Sequence, residues 1–329
     1  MITGMPDVSK KIIVTGGLGY IGTHLVDSLI ENGYRVLVID KVMVSKYGKV
    51  PKEVRFVRLN LADEKAALEM LQIFKELPKN TQVVHLAAEK SVEESMSDPE
   101  FYERENVTGT RNLLWAMTQC DLKKITFASS AAVYGSPKNN LSLSETSETN
   151  PLSPYARTKL ACEDMIVKLS SKEFDFAILR FFNVAGASRN EFVERDGKNL
   201  IPKLLASRNE VGDFQLFGND YPTPDGTCVR DFVDVRDLVS AILKCINTLE
   251  NQSVGILNIG SGCGYSVKQI IEALEKVIGK IKYVVVRRRE GDPASVIADI
   301  KLAREVLDWN PVQGLEDMVS SMVEKGEHR

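Results

Sequence analysis

Tyr155 and Lys159, in the stretch SPYARTKLACEDM, stand four residues apart, which on a helix places both side chains on one face. A free tyrosine has a pKa of about 10 and is roughly 0.1% ionised at neutral pH. An ammonium beside it favours the phenolate, and a shift of about 3 units corresponds to about 4 kcal/mol. A tyrosine tuned in this way can take the proton of an alcohol while the carbinol carbon is oxidised. Ser130, at the end of the apolar run KKITFASS, offers a hydroxyl that can bond the same oxygen. Together the three make a carbinol–carbonyl redox site. Tyr-x-x-x-Lys is common by chance and, alone, more often a surface pair, so its weight depends on the elements around it.

Those elements begin with KIIVTGG, a β-branched run that ends in glycine as a buried parallel strand does. YIGTHLVDSLIEN follows with apolar residues at helical spacing, and Gly33 stands where a C′ cap belongs. YRVLVID is the next strand, so a β-α-β unit is complete within about thirty residues. Gly16, Gly19 and Gly22 lie at the turn from strand to helix, where glycines let the backbone approach a pyrophosphate held on the helix N-terminus. Asp40 closes the second strand and can accept from both ribose hydroxyls. It favours NAD over NADP, whose 2′-phosphate would face its charge, although the neighbouring Lys41 softens that preference. A cationic nicotinamide would add to the pull of Lys159 on the phenolate.

The alternation continues. VRFVRLN, TQVVHLAA, KKITFASS and FDFAILRFFN read as strands, with helices at about 63–77, near 99–119 and from about Tyr155. This predicts an α/β fold, a doubly wound parallel Rossmann-type sheet over 1–182, with a smaller C-terminal α/β substrate-binding lobe over 183–329 and parts of 231–260 packing back onto the first. In the second part GASRNEFVERDGKN and GNDYPTPDGTC are polar and turn-rich and read as binding loops, and the loop 187–198 is expected to fold over the substrate. ILNIG and KYVVVRRR read as further short strands.

Composition narrows the function classes. A net charge of −3 gives no electrostatic footprint for nucleic acid, and the run Arg287-Arg288-Arg289 reads on composition as a solvated edge. Five scattered cysteines form neither a disulfide framework nor a zinc site, so no metal is expected. There is no apolar leader and no membrane-length run, which predicts a reducing cytoplasm and no membrane partner.

The glycine triplet, Ser130 and Tyr155-x-x-x-Lys159 together resemble the extended short-chain dehydrogenases. Within them, TGGLGYIGTHLV, HLAAEKSVEES, SSAAVYG, RFFNVAGA and FGNDYPTPDGTCVRDF are similar to the UDP-glucose 4-epimerases over nearly the whole chain. The resemblance implies an NAD-dependent isomerase in which Ser130, Tyr155 and Lys159 are catalytic. It implies an NAD site lined by Gly16, Gly19, Tyr20, Ile21, Gly22, Asp40, Asn60, Leu61, Leu86, Ala87, Ala88, Lys90, Asn106, Tyr155, Lys159 and Phe182. For the UDP-sugar it implies Ser130, Asn183, Asn199, Leu200, Gln215, Phe217, Arg230, Arg289, Asp292 and Val296. Arginine forks suit a diphosphate, Phe217 can pack on a uracil face, and Asp292 can accept from ribose. A homodimer packed through helices near 100–118 and 155–170 is also implied.

The 4,6-dehydratases and uronate decarboxylases of the family carry acidic residues after the serine, where this chain has Ala131 and Ala132. Methyl groups move no proton, so a 4-keto sugar can only be reduced again. If it turns over before the hydrogen returns, C4 inverts without net redox change. The expected substrates are UDP-glucose and UDP-galactose, with a UDP-pentose or UDP-uronate epimerase, or a non-catalytic NAD-dependent sensor or scaffold, as alternatives. Three positions depart from the epimerase pattern: Ala132 for a frequent threonine, Asn60 for an aspartate and Phe181 for a tyrosine. Val296 stands where relatives carry a bulky aromatic, which leaves room for a C2 N-acetyl group and extends the expected substrates to UDP-GlcNAc and UDP-GalNAc.

Overall fold

The structure is a computed structural model and describes residues 10–47, 51–136, 142–195, 199–207, 213–289 and 291–323. Through residue 181 its elements are β1 (Lys11–Thr15), α1 (Tyr20–Glu31), β2 (Arg35–Asp40), β3 (Arg55–Arg58), α2 (Ala66–Phe74), β4 (Gln82–His85), α3 (Val92–Ser97), α4 (Pro99–Tyr102), a π-helical turn (Glu103–Thr108), α5 (Gly109–Gln119), β5 (Lys124–Ser130), α6 (Pro154–Leu169) and β6 (Asp175–Phe181). Then follow β7 (Asn183–Ala185), α7 (Leu200–Ala206), β8 (Phe214–Phe217), β9 (Val229–Asp234), α8 (Val235–Thr248), β10 (Gly255–Ile259), β11 (Gly264–Ser266), α9 (Val267–Ile278), β12 (Tyr283–Val286), β13 (Ser295–Val296), α10 (Lys301–Leu307) and α11 (Leu315–Met322).

The chain folds into two compact units. One comprises the chain up to Val133, Pro151–Arg180 and Ala241–Leu257; the other comprises Tyr134–Asn150, Phe181–Ser240 and the chain from Asn258. The first unit is built on a seven-stranded sheet of order β10-β6-β5-β4-β1-β2-β3. β3, β2, β1, β4 and β5 pair in parallel, and the order reverses between β1 and β4. Such a switch point opens a crevice at the carboxyl ends of the strands. The central strands are largely apolar, as strands covered on both faces are, and Ile13, Ile39, Val83, Ile125 and Phe127 share one core with Met70, Phe74 and Met117 of the helices.

The second unit has its own core, in which Leu204, Leu216, Ile270, Leu274 and Val319 are buried. Its sheets are small. β9 is flanked by β11 and β13 and also pairs with β7, while β8 pairs with β12 in parallel. The polar segment after Tyr134 belongs to this unit for specific reasons. Leu143 bridges to Ala298, the Tyr134 hydroxyl donates to Asn258 Oδ1 at 2.7 Å, and the Glu145 carboxylate accepts from the Asn258 N–H at 2.8 Å.

The stretch 99–119, which reads as one helix in sequence, is α4 and α5 joined by the π-helical turn. The wider turn carries Asn106, which matters below. Among the described residues no helix is long and apolar enough to cross a membrane. Residues 196–198 of the loop expected to cover the substrate lie outside the described residues.

Candidate active site

α6 starts where its residues dictate. The Ser153 hydroxyl caps it by accepting from the Ala156 N–H at 3.1 Å, and Pro154 fills the first helical position. Tyr155 therefore sits in the first turn, with Lys159 one turn further on, and both are buried. Ser130 ends β5, and its side chain acts on the Tyr155 phenol, lowering its pKa. Its hydroxyl also accepts from the backbone N–H of Ala132 at 3.2 Å. The residue that lacks a hydroxyl thus orients one through its main chain, in the 3-10 turn Ala131–Tyr134.

The electrostatics differ from the sequence expectation. Burial pushes the Tyr155 phenol up to about 12, against the Ser130 side chain, which lowers it. Lys159 does not offset this, because its ammonium lies 6.0 Å from the Tyr155 ring centroid and donates to the Ala128 carbonyl at 2.8 Å. Burial pulls Lys159 itself down to about 8. The polypeptide therefore holds Tyr155 protonated, and desolvation wins over the neighbouring ammonium. His85 is pulled down to about 3 by burial and by Lys159, so it is a neutral ring held between Thr15 at 2.6 Å and Thr110 at 2.9 Å.

A buried ion pair that the sequence reading missed fixes this corner. Glu163, one turn beyond Lys159, receives two guanidinium N–H donors from Arg180 at 2.7 and 3.1 Å and also the Ser129 hydroxyl. Glu163 and Arg180 are buried almost completely. Ser129 precedes Ser130, so the pair pins the end of β5 to α6. A lone arginine inside the apolar run FAILRFF was the available signal, since a buried cation needs a carboxylate.

The glycine turn fits a dinucleotide. At Gly16, with φ +72°, a Cβ would stand 2.6 Å from the Ala87 amide nitrogen, and at Gly22 it would stand 2.1 Å from the Gly16 carbonyl oxygen. Side chains are excluded there, and α1 follows Gly19, an N-cap that makes no side-chain cap hydrogen bond, so a helix N-terminus suited to a phosphate meets the turn. Tyr20 is buried edge-on against His24, so it packs the turn, and Ile21 is half-buried beside it. Asp40 accepts from the Leu18 N–H at 3.0 Å and the Val42 N–H at 3.1 Å, one on each oxygen, and retains lone pairs on both.

Leu86, Ala87 and Ala88 follow β4 half-buried, and Lys90 is exposed at the end of that loop. Asn106 braces the loop: it accepts from the Glu89 N–H at 2.8 Å and donates to the Glu89 carbonyl at 3.1 Å and to Thr158 at 3.0 Å. Asn60 accepts from the Ala62 N–H and donates to Glu105 at 3.2 Å, next to the buried Leu61. Glu105, another group the sequence reading passed over, thus anchors the Asn60 side chain.

In the second unit Phe182 is buried and donates its N–H to Ile259, and Asn183 opens β7 exposed. Asn199 donates to Glu194 at 2.6 Å at the start of α7, with Leu200 in the first turn. A cavity of about 670 Å³ is lined by Gly218, Asn219, Asp220, Val286 and Arg287–Arg289. The arginine run borders this cavity, with Arg287 and Arg289 exposed. Arg288 pairs with Asp220 and lies 4.2 Å over Tyr221, whereas the Arg289 guanidinium lies 4.1 Å over the Phe217 ring. That contact covers one face of Phe217. Gln215 is exposed on the same strand as Phe217. Arg230 pairs with Asp292, and Val296 stands opposite Arg230 in the β13–β9 register. Five guanidinium donors allow Arg230 to keep that partner and still meet an anion.

The model of the NAD dependent epimerase/dehydratase family matches residues 12–260. The chain belongs to that family. A UDP-glucose 4-epimerase of Streptococcus mutans is 40% identical over 321 residues, 94% of this chain and 95% of that protein. The solved UDP-glucose 4-epimerase of Stenotrophomonas maltophila, with bound NAD and formylated UDP-arabinopyranose, is 33% identical with a TM-score of 0.88 and covers 95% of this chain and 96% of its own. The UDP-Glc/GlcNAc 4-epimerase of Campylobacter jejuni is 33% identical with a TM-score of 0.81, over 95% of this chain and 98% of its own. Family membership brings NAD as cofactor, and the glycine turn and Asp40 are suited to hold it.

Proposed function

We propose that the protein is an NAD-dependent 4-epimerase that interconverts UDP-glucose and UDP-galactose through a 4-keto intermediate and also accepts the UDP-GlcNAc/UDP-GalNAc pair. The observation that carries this reading is Ser130 at the end of β5, acting on the Tyr155 phenol of α6 with Lys159 one turn on, followed directly by Ala131 and Ala132. Bound NAD supplies the acceptor for the C4 hydrogen and a positive charge near the phenol. Tyr155 takes the C4 hydroxyl proton and later returns it, while Ser130 orients the same oxygen. Bringing Tyr155 from about 12 to neutrality requires about 7 kcal/mol of interactions that favour the phenolate, and because Lys159 does not offset the burial this is assigned to the cofactor charge. No side chain at 131 or 132 can remove a further proton from the 4-keto sugar, so reduction is the way out.

Arg230, Arg289, Phe217, Asp292, Gln215, Asn183, Asn199 and Leu200 are assigned to the UDP-sugar. The small side chain of Val296 supports the N-acetyl substrates. Trp115 on α5 and Val167 on α6, 41% and 40% exposed, support a homodimer through those helices. Five free thiols fit a reducing cytoplasm. Incubation with UDP-galactose is expected to yield UDP-glucose without net NADH, and Tyr155→Phe to slow turnover by about 10²–10⁴-fold. A stable keto or deoxy product, or undiminished Tyr155→Phe turnover, overturns the reading.

A further inference from the structure

The end of β2 carries opposite charges side by side. Asp40 is locked onto the glycine turn through Leu18 and Val42, with its remaining lone pairs available for a ribose. Lys41, the next residue, has a side chain long enough to reach an anion at the same ribose, where the 2′-phosphate of NADP would lie. It is directed elsewhere. Its ammonium is bound by the carboxylates of Glu89 and, at 3.1 Å, Glu105, and lies 5.6 Å from the Phe101 ring centroid.

Both carboxylates are themselves held. The Glu89 backbone is fixed by Asn106 at 2.8 and 3.1 Å. Glu105 has a side chain only 6% exposed and also accepts from Asn60 Nδ2 at 3.2 Å and Arg104 Nε at 3.3 Å. Burial alone would lower the Lys41 pKa, but the two carboxylates hold it above its ordinary value, so it stays a charged partner. Arg58, paired with Asp40 across β2 and β3, donates through Nε to the Lys41 carbonyl at 3.3 Å.

We propose that Glu89 and Glu105 set cofactor specificity by clamping Lys41, so that a cation one residue from Asp40 is withheld from the 2′-phosphate of NADP. Discrimination then has two layers, repulsion by Asp40 and removal of the cation that would offset it. The clamp lies on three separate segments, which is why Lys41 read in sequence as softening the NAD preference. This rests on the NAD reading of the site.

The test is isothermal titration of the cofactor-stripped full-length protein with NAD and with NADP. The wild type is expected to bind NAD and to bind NADP at least about 100-fold more weakly. In Glu89→Gln/Glu105→Gln, NADP affinity is expected to rise about tenfold, as one charge-assisted contact to a dianion provides, with NAD within about threefold. Adding Lys41→Ala should cancel the gain. Glu89→Gln alone, which leaves the buried Glu105 in place, should give about a threefold gain and decides the matter if the double variant does not fold. Unchanged NADP affinity, or a gain that survives Lys41→Ala, overturns the clamp. Failure of the wild type to bind NAD refutes the cofactor reading instead.

Discussion

Lys159→Met should make the protein more stable at neutral pH while removing its activity. Lys159 is buried with a pKa of about 8 against an ordinary 10.5. Below pH 8 both the folded and the unfolded chain hold the proton, and the wild type bears the full cost of a buried ammonium, about 3 kcal/mol at pH 7. Between 8 and 10.5 the folded chain releases the proton first, so the cost fades, and above 10.5 it is gone. Methionine fills similar volume without charge but loses the 2.8 Å bond to the Ala128 carbonyl, about 1 kcal/mol. The variant is therefore expected to be about 2 kcal/mol more stable than the wild type at pH 7. At pH 9.5 the remaining cost is about 1.4 kcal/mol and the two proteins should be near parity. Urea unfolding of both cofactor-free proteins at the two pH values measures the gap. A gap that does not change with pH, or a methionine variant less stable at pH 7, refutes the reasoning.

Arg180→Met leaves Glu163 buried without its cation and should cost about 3–5 kcal/mol, read as a lower urea midpoint; an unchanged midpoint contradicts the pairing. Val296→Tyr should lower turnover of UDP-GlcNAc selectively over UDP-glucose, and an equal loss for both sugars contradicts the steric account.

The first unit was legible because its strands are continuous apolar runs and its helices carry one apolar stripe, as β1, α1 and β2 show. The second was not, because β9 reads VRDFVD and hides buried Asp231 and Asp234 whose partners come from distant segments. Asp231, for instance, accepts from Ser261, Gly262 and Ala298. Two-residue and three-residue strands such as β13 and β7 have no period to detect. At the site, spacing on α6 revealed Tyr155 and Lys159, but the direction of their pKa shifts depends on how deeply packing buries them. The Lys41 clamp and the Glu163–Arg180 pair are contacts between segments far apart in sequence, of which only the lone buried arginine left a trace.

The most direct test of epimerisation is conversion of UDP-galactose deuterated at C4 in ordinary water, with mass spectrometry and NMR of the UDP-glucose formed. The expected result is inversion at C4 with the deuterium retained there and no free NADH, because the C4 hydrogen leaves and returns without meeting solvent. Loss of the label to solvent, or accumulation of a keto or deoxy sugar, would contradict it.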